Sequence, residues 1–380
     1  MYQLTLDKQD FLNNIWQKKP MIFRQAFKNF ADPIAADELA GLACEEEVAS
    51  RIVVTQNDGK DWQVVNGPFE DYDQYGEENW QLLVQAVNHW YPESQPLVEA
   101  FRFLPDWRFD DLMVSFATPG GGVGPHIDQY DVFIIQGEGR RRWTVGDIGS
   151  HQQRGGNLTS PLIENFSPII DDILEPGDML YIPPGFPHQG FTLTLALSYS
   201  IGFRAPSQQE LMNQLADYLI DENVGHRRFT STTDTAGKGL VAEAQQLGMM
   251  ALLKQLAEEP QYYQTMLGKL LSQNRFELDI CEGEPVTADD LNDAIDQGAV
   301  LKRIGGLKVL LLENDLQQRL FINGEAFAFD AQDAELAQQL SDNTEFSGAA
   351  LQALNQSSSL QPLLLSLLEK GWFYLADADE

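Results

Sequence analysis

Between Gly120 and His188 the chain carries residues that can hold a metal ion. The run Gly120-Gly121-Gly122-Val123-Gly124-Pro125-His126-Ile127-Asp128-Gln129-Tyr130-Asp131 sets a histidine and a carboxylate two positions apart. Side chains of a strand alternate between faces, so His126 and Asp128 project to the same side. A second histidine ends the run Pro183-Pro184-Gly185-Phe186-Pro187-His188. Two histidines and one carboxylate make the facial ligand set of non-heme Fe(II), with positions left open for substrate and O2.

The second half raises the value of the first, because an isolated His-x-Asp arises often by chance. Gly177, five residues, Pro183, one residue, Gly185, two residues, His188 resembles the second motif of the cupin barrels. Its glycines and prolines shape a tight turn that aims the histidine inward. Arg141 adds a further clue. On the strand from Arg140 to Val145 it shares a face with Trp143 and Val145, which predicts that it points inward. A buried guanidinium needs an anion and grips a carboxylate with two prongs. A dicarboxylate such as 2-oxoglutarate supplies one, chelating the iron at its keto-acid end; a structural ion pair is the alternative. Arg140 and Arg142 point outward. The glycines of 120–124 precede a strand and no Lys-Ser or Lys-Thr, so they are no phosphate loop. His151 and His226 lie in loop-like stretches without ligand spacing and read as surface residues, and His89, in a predicted helix, reads as a packed or half-exposed histidine rather than a ligand.

These residues need a barrel to hold them. Asp111 to Ala117 predicts its first strand, with Leu112, Val114 and Phe116 on one face and Asp111, Met113 and Ser115 on the other. Val132 to Ile135, the turn 136–139 and Arg140 to Val145 predict a hairpin. Leu193 to Phe203 predicts the last strand. Many strands broken by Gly and Pro indicate a jelly-roll, or double-stranded β-helix. Upstream, Arg51 to Thr55 and Asp61 to Val65 read as strands around an Asn57-Asp58-Gly59 turn. Trp80, Leu83, Val84 and Val87 recur at three and four, predicting a helix over 78–90. Beyond Pro206 the pattern turns helical: Ser207 and Glu210 form a capping box, and helices follow over 241–258 and 262–273. The remainder reads as a small α+β module whose Asn323-Gly324 predicts a hairpin turn. The expected division is 1–206, a catalytic barrel with N-terminal helices; 207–275, a helical dimerisation segment; and 276–380, a winged-helix-like domain.

The chain has 380 residues and a net charge of −32. Such a charge disfavours nucleic acid and anionic membranes and favours a basic partner. From Cys281 onward, 18 acidic residues face 5 basic ones, against what a DNA-reading winged helix needs. With two cysteines, no apolar signal core at the N-terminus and no run of eighteen apolar residues, the expectation is a cytoplasmic protein without a membrane span.

Phe11-Leu12, Trp16-Gln17-Lys18-Lys19-Pro20, Gly-Gly-Gly-Val-Gly-Pro-His126, the Asp-Gln-Tyr-Asp-Val-Phe-Ile-Ile-Gln136 run, Arg-Arg-Arg-Trp143 and Pro-Gly-Phe-Pro-His188 resemble the JmjC-type, iron- and 2-oxoglutarate-dependent ribosomal oxygenases along the full chain. The resemblance implies a JmjC barrel, a dimerising helical segment and a winged-helix C-terminus. It implies His126, Asp128 and His188 as iron ligands and Arg141, with Ser115 and Ser198, as the 2-oxoglutarate site. It implies O2-dependent hydroxylation at the β-carbon of an arginine in the sixteenth protein of the large ribosomal subunit, a basic partner that suits the acidic chain. Asp111, Tyr130 and Ser200 are the candidates to hold that arginine. The asparagine expected four residues after His188 is Thr192 here. Two rivals stay open: another JmjC hydroxylase or demethylase, and a non-catalytic metal-binding cupin regulator.

Overall fold

The computed structural model describes residues 2–57, 59–154, 162–230 and 238–377. Their strands begin with β1 (Met21–Phe23), β2 (Ser50–Gln56), β3 (Asp61–Asn66), β4 (Trp80–Val84), β5 (Phe109–Ala117) and β6 (His126–Ile127). There follow β7 (Asp131–Gln136), β8 (Arg141–Gly146), β9 (Pro168–Leu174), β10 (Met179–Ile182), β11 (Pro187–Thr192) and β12 (Ala196–Phe203). They form an eight-stranded sheet, in order β1-β10-β7-β12-β5-β4-β2-β3, and a four-stranded sheet, β6-β11-β8-β9. The turn expected at Asn57-Asp58-Gly59 includes Asp58, which lies outside the described residues.

Alternation gives the large sheet two different faces. Leu197, Tyr199, Ile201 and Phe203 of β12, with Phe133 and Ile135 of β7, join the core that holds Phe11 and Ile15 near the N-terminus. Each fully buried residue of this kind contributes about 1.5–3 kcal/mol over its exposed state. The opposite face sends Val132 and Ile134 of β7 and Leu180 and Ile182 of β10 into the barrel, where they meet Trp143, Val145 and Leu174 from the small sheet. The site is built in this inner layer.

Two sequence expectations fail. Residues 80–84 form a strand, β4, every residue of which is buried, and only Val87–Trp90 is helical. Trp80, Leu83 and Val84 are apolar because β4 is a central strand covered on both faces; such a strand mimics a helical repeat. The predicted hairpin is absent as well: β7 pairs with β10 and β12, whereas β8 pairs with β9 and β11. The turn at 137–140 carries the chain from one sheet to the other, as closing a jelly-roll requires.

The chain folds as two compact units: Met1–Ala205 with Asn274–Ile280 and Ile304–Gly306, and Pro206–Gln273 with Cys281–Arg303 and Leu307–Glu380. The first unit's α-helices are α1 (Lys8–Asn14), α2 (Ala36–Leu42), α3 (Val87–Trp90) and α4 (Gln95–Glu99). The second begins with α5 (Gln208–Asp221), α6 (Glu243–Ala257) and α7 (Pro260–Ser272). The Ser207 hydroxyl accepts from the Glu210 amide at 3.1 Å, and the Glu210 carboxylate accepts from the Ser207 amide at 2.7 Å, closing the capping box of α5. Among the described residues, four more α-helices and two three-stranded sheets follow in this unit. Within it, Asn323 and Gly324 take positive φ angles, 45° and 80°, at the expected hairpin turn.

Candidate active site

His126 and His188 are paired residues on the adjacent antiparallel strands β6 and β11. Their rings lie 4.2 Å apart between centroids. Asp128 follows just beyond β6, its Oδ2 3.8 Å from His126 Nε2 and 3.7 Å from His188 Nε2. One ligand atom from each of the three lies within 4.8 Å of the others. The two motifs are tied together by the Gly185 amide, which donates to the Asp128 carbonyl at 2.8 Å.

The imidazoles are oriented by their own turns. His126 Nδ1 lies 2.9 Å from the Gly124 carbonyl and His188 Nδ1 3.1 Å from the Phe186 carbonyl. A carbonyl only accepts, so each Nδ1 carries the hydrogen and each Nε2 turns a lone pair to the centre. Burial, reinforced by His126, pulls His188 down to about 4. It is therefore neutral at pH 7, the form that ligates. Three donors thus converge on one face with their lone pairs free, and the set fits Fe(II).

The far end of the barrel fits an anion. Arg141 is 2% exposed. Its Nη2 donates to Gln81 Oε1 at 2.9 Å, and its Nη1 lies 3.4 and 3.5 Å from the hydroxyls of Ser115 and Ser198. These partners are neutral; no carboxylate pairs with it among the described residues. Burial alone pulls Arg141 down to about 10. A buried charge without a counter-ion costs several kcal/mol, and an anion at this position would offset that cost. Three buried polar atoms nearby also lack partners among the described residues: Arg141 Nε, Trp143 Nε1 and Thr192 Oγ1. Thr192 pairs with Arg141, and Gly190 with Trp143, across β11 and β8. A Cβ on Gly190 would stand 2.9 Å from the Trp143 ring and 3.0 Å from Arg141 Nη2, so only glycine leaves this space open.

A third group gathers at β5 and β12. Asp110 and Asp111 together oppose the single residue Gly202 between the pairs Leu112–Ile201 and Phe109–Phe203. This β-bulge breaks the alternation, and both aspartates are buried, at 8% and 6% exposure. A Cβ on Gly202 would lie 3.6 Å from Asp110 Cβ and from Asp111 Oδ1, and 3.8 Å from the Tyr130 ring. Asp111 Oδ2 accepts from the Ala86 amide at 3.1 Å. Burial, then the neighbouring Asp110, push Asp111 up to about 7. Burial and then Asp128 push Tyr130 above the ordinary phenol range. Ser200 sits two residues from Ser198 on the inner face of β12. Sequence reasoning named Asp111, Tyr130 and Ser200; it missed Asp110, Gly202 and Gln81, and two arginines beside them, Arg51 and Arg275.

A JmjC domain family model matches residues 96–211, and a ROXA-like winged helix model matches residues 241–374. The ribosomal protein uL16 3-hydroxylase of Escherichia coli is 47% identical over 98% of this chain and 99% of its own. A probable ribosomal oxygenase of Haemophilus influenzae is 31% identical over 95% and 94%. Among solved structures, that of YcfD, a ribosomal oxygenase from Escherichia coli in complex with cobalt and 2-oxoglutarate, superposes with a TM-score of 0.89 and 44% identity, covering 99% of both chains.

Proposed function

The chain belongs to the JmjC ribosomal oxygenases, and we propose that it is an Fe(II)- and 2-oxoglutarate-dependent dioxygenase that adds a hydroxyl to the β-carbon of an arginine in uL16, the sixteenth protein of the large ribosomal subunit. One observation carries the reading: a His-Asp-His facial set in the same barrel as a buried arginine that pairs with no carboxylate among the described residues. When bound, iron, 2-oxoglutarate and O2 supply the oxidation of C–H to C–OH, with release of succinate and CO2.

The chain's own residues bind and orient. His126, Asp128 and His188 hold the metal. Arg141, with Ser115 and Ser198, holds the far carboxylate of 2-oxoglutarate in a two-pronged grip. Asp111, Tyr130 and Ser200 hold the substrate guanidinium, which fixes the β-carbon relative to the metal. The apolar inner layer of Ile134, Trp143 and Val145 keeps water from the reacting carbon.

The three-part division, 1–206, 207–275 and 276–380, is part of the same proposal, with the second part pairing two copies of the chain. Ile220 of α5 and Leu247 and Met250 of α6 are 74%, 63% and 59% exposed, and α6 has no buried residue. Apolar surface of this kind suits a homodimer contact. An enzyme of ribosomal proteins belongs in the cytoplasm, and no described helix is long and apolar enough to cross a membrane.

The test is peptide mass analysis of unmodified uL16 after incubation with the protein, Fe(II), 2-oxoglutarate and air. The expected result is a gain of one oxygen on a single arginine. Succinate without that gain would reject the substrate; neither product would reject the oxygenase.

A further inference from the structure

The cluster around Gly202 holds more charge than substrate recognition by Asp111 alone requires. Asp110 is the second carboxylate, brought beside Asp111 opposite Gly202 by the bulge. Arg275 Nη2 lies 2.9 Å from Asp110 Oδ2. Arg275 belongs to the segment Asn274–Ile280, which packs with the barrel although it follows α7 in sequence. Its side chain is 43% exposed, against 9% for that of Asp110, so it covers the carboxylate from the solvent side. Arg51, on β2, is the other cation: it lines the same cavity as Arg275, and its Nη2 lies 3.9 Å from Sδ of Met113, two residues from Asp111 on β5.

With Asp128 committed to the metal centre, two carboxylates here face two guanidiniums. Above about pH 7, where Asp111 is ionised, these charges balance. A substrate arginine entering it brings a third guanidinium into a mostly buried place, and an uncompensated cation there costs several kcal/mol. One resident must withdraw. Arg275 is the more exposed of the two. A cavity of about 570 Å³ opens beside it, lined by Arg275 and Phe276 and walled in part by Glu46 and Arg51. The cavity has room for the displaced side chain, and Glu46 offers it a carboxylate.

We propose that Arg275 is a resident stand-in for the substrate arginine, and that Asp110 is the second carboxylate that receives the substrate guanidinium once Arg275 has swung away. This rests on the reading that the substrate is a protein arginine. Exchanging one guanidinium for another leaves the buried charge unchanged, so the site discriminates by fit and not by net charge. Arg275 is a positioning residue, since it leaves before the reacting atoms are in place. Asp110 touches substrate and sets specificity.

The experiment compares the wild-type chain with Arg275→Gln, Arg275→Lys, Asp110→Asn and the double variant. Binding of uL16 is measured without O2, and KM and kcat in its presence. Removing the competitor is expected to tighten Kd and lower KM about fivefold in Arg275→Gln, the scale of a half-exposed ion pair, with Arg275→Lys close to wild type. Asp110→Asn is expected to weaken binding about tenfold and to cancel the gain from Arg275→Gln in the double variant. Unchanged or weaker binding by Arg275→Gln, at an unaltered melting temperature, overturns the stand-in. If Arg275→Gln does not fold, Asp110→Asn decides alone, and unchanged binding by it overturns the proposal. Failure of the wild-type chain to oxidise any arginine of uL16 removes the substrate reading and this inference with it; arginine oxidation without the Arg275→Gln gain removes only the inference.

Discussion

Asp111→Asn is expected to move stability and activity in opposite directions. Burial and Asp110 push the Asp111 carboxyl up to about 7, whereas an unfolded chain titrates near 3.9. The folded state thus keeps a proton that the unfolded chain has lost. Stability from this group is full below about pH 4, falls as the pH rises, and levels off above the folded value of about 7. At about 1.4 kcal/mol per pH unit, the loss is about 2 kcal/mol at pH 5.5 and about 4 kcal/mol at pH 8. Asparagine is neutral throughout and still offers an oxygen to the Ala86 amide. The variant's advantage over wild type is therefore expected to widen by about 2 kcal/mol between pH 5.5 and 8, or about 4–8 °C in melting temperature. Thermal unfolding of the metal-free proteins at both pH values measures it. A gap that stays flat or narrows would refute the charge placement. Activity runs the other way: loss of a charge-assisted bond worth about 1.5–3 kcal/mol raises KM about ten- to a hundredfold. The wild-type acidic limb of kcat/KM near pH 7 is expected to disappear in the variant.

Two further predictions concern other surfaces of the same chain. Arg141→Met is expected to weaken 2-oxoglutarate binding at least a hundredfold by removing the cation from a buried pair, and Thr192→Val about fivefold by removing one hydroxyl, with Thr192→Ser close to wild type; titration of the iron-loaded protein without O2 reads all three, and unchanged affinity in Thr192→Val takes that residue out of the pocket. Light scattering is expected to give a dimer mass for the wild-type chain and a monomer mass for Leu247→Glu with Met250→Glu; a monomeric wild type would refute the pairing, and an unaltered dimer mass in the variant would place the contact elsewhere.

The chemistry was more legible in the sequence than the scaffold. The triad shows because its spacing is short on one side and framed by glycine and proline on the other. The inward turn of Arg141 shows because Trp143 and Val145 share its parity. What was hidden depends on geometry that alternation does not encode. Gln81, a direct partner of Arg141, sits in a stretch whose apolar repeat imitates a helix, since β4 is buried on both faces. Asp110 was hidden by a bulge, which local sequence does not announce when the bulged residues are ordinary. Arg275 was hidden by distance: it meets Asp110 from a segment far along the chain. The pairing of β8 with β11 rather than β7 was hidden because a short glycine turn looks the same whether it closes a hairpin or crosses between sheets.

Charge acts on two scales in this molecule, and only the nearer one selects. A net charge of −32 draws any basic protein toward the surface and speeds encounter. At physiological salt that attraction fades over about 8 Å, and it treats lysine and arginine alike. Near Gly202 the balance is local and nearly neutral, so net charge no longer decides what binds. There the planar fork of a guanidinium can meet two adjacent carboxylates with its donors held in a fixed geometry, whereas a lysine ammonium, a compact point charge, offers no such fork. Replacing Arg275 by lysine preserves the balance and loses the fork, whereas replacing a substrate arginine by lysine loses the fork where Asp110 and Asp111 need it. The arrangement therefore tolerates the first change and rejects the second.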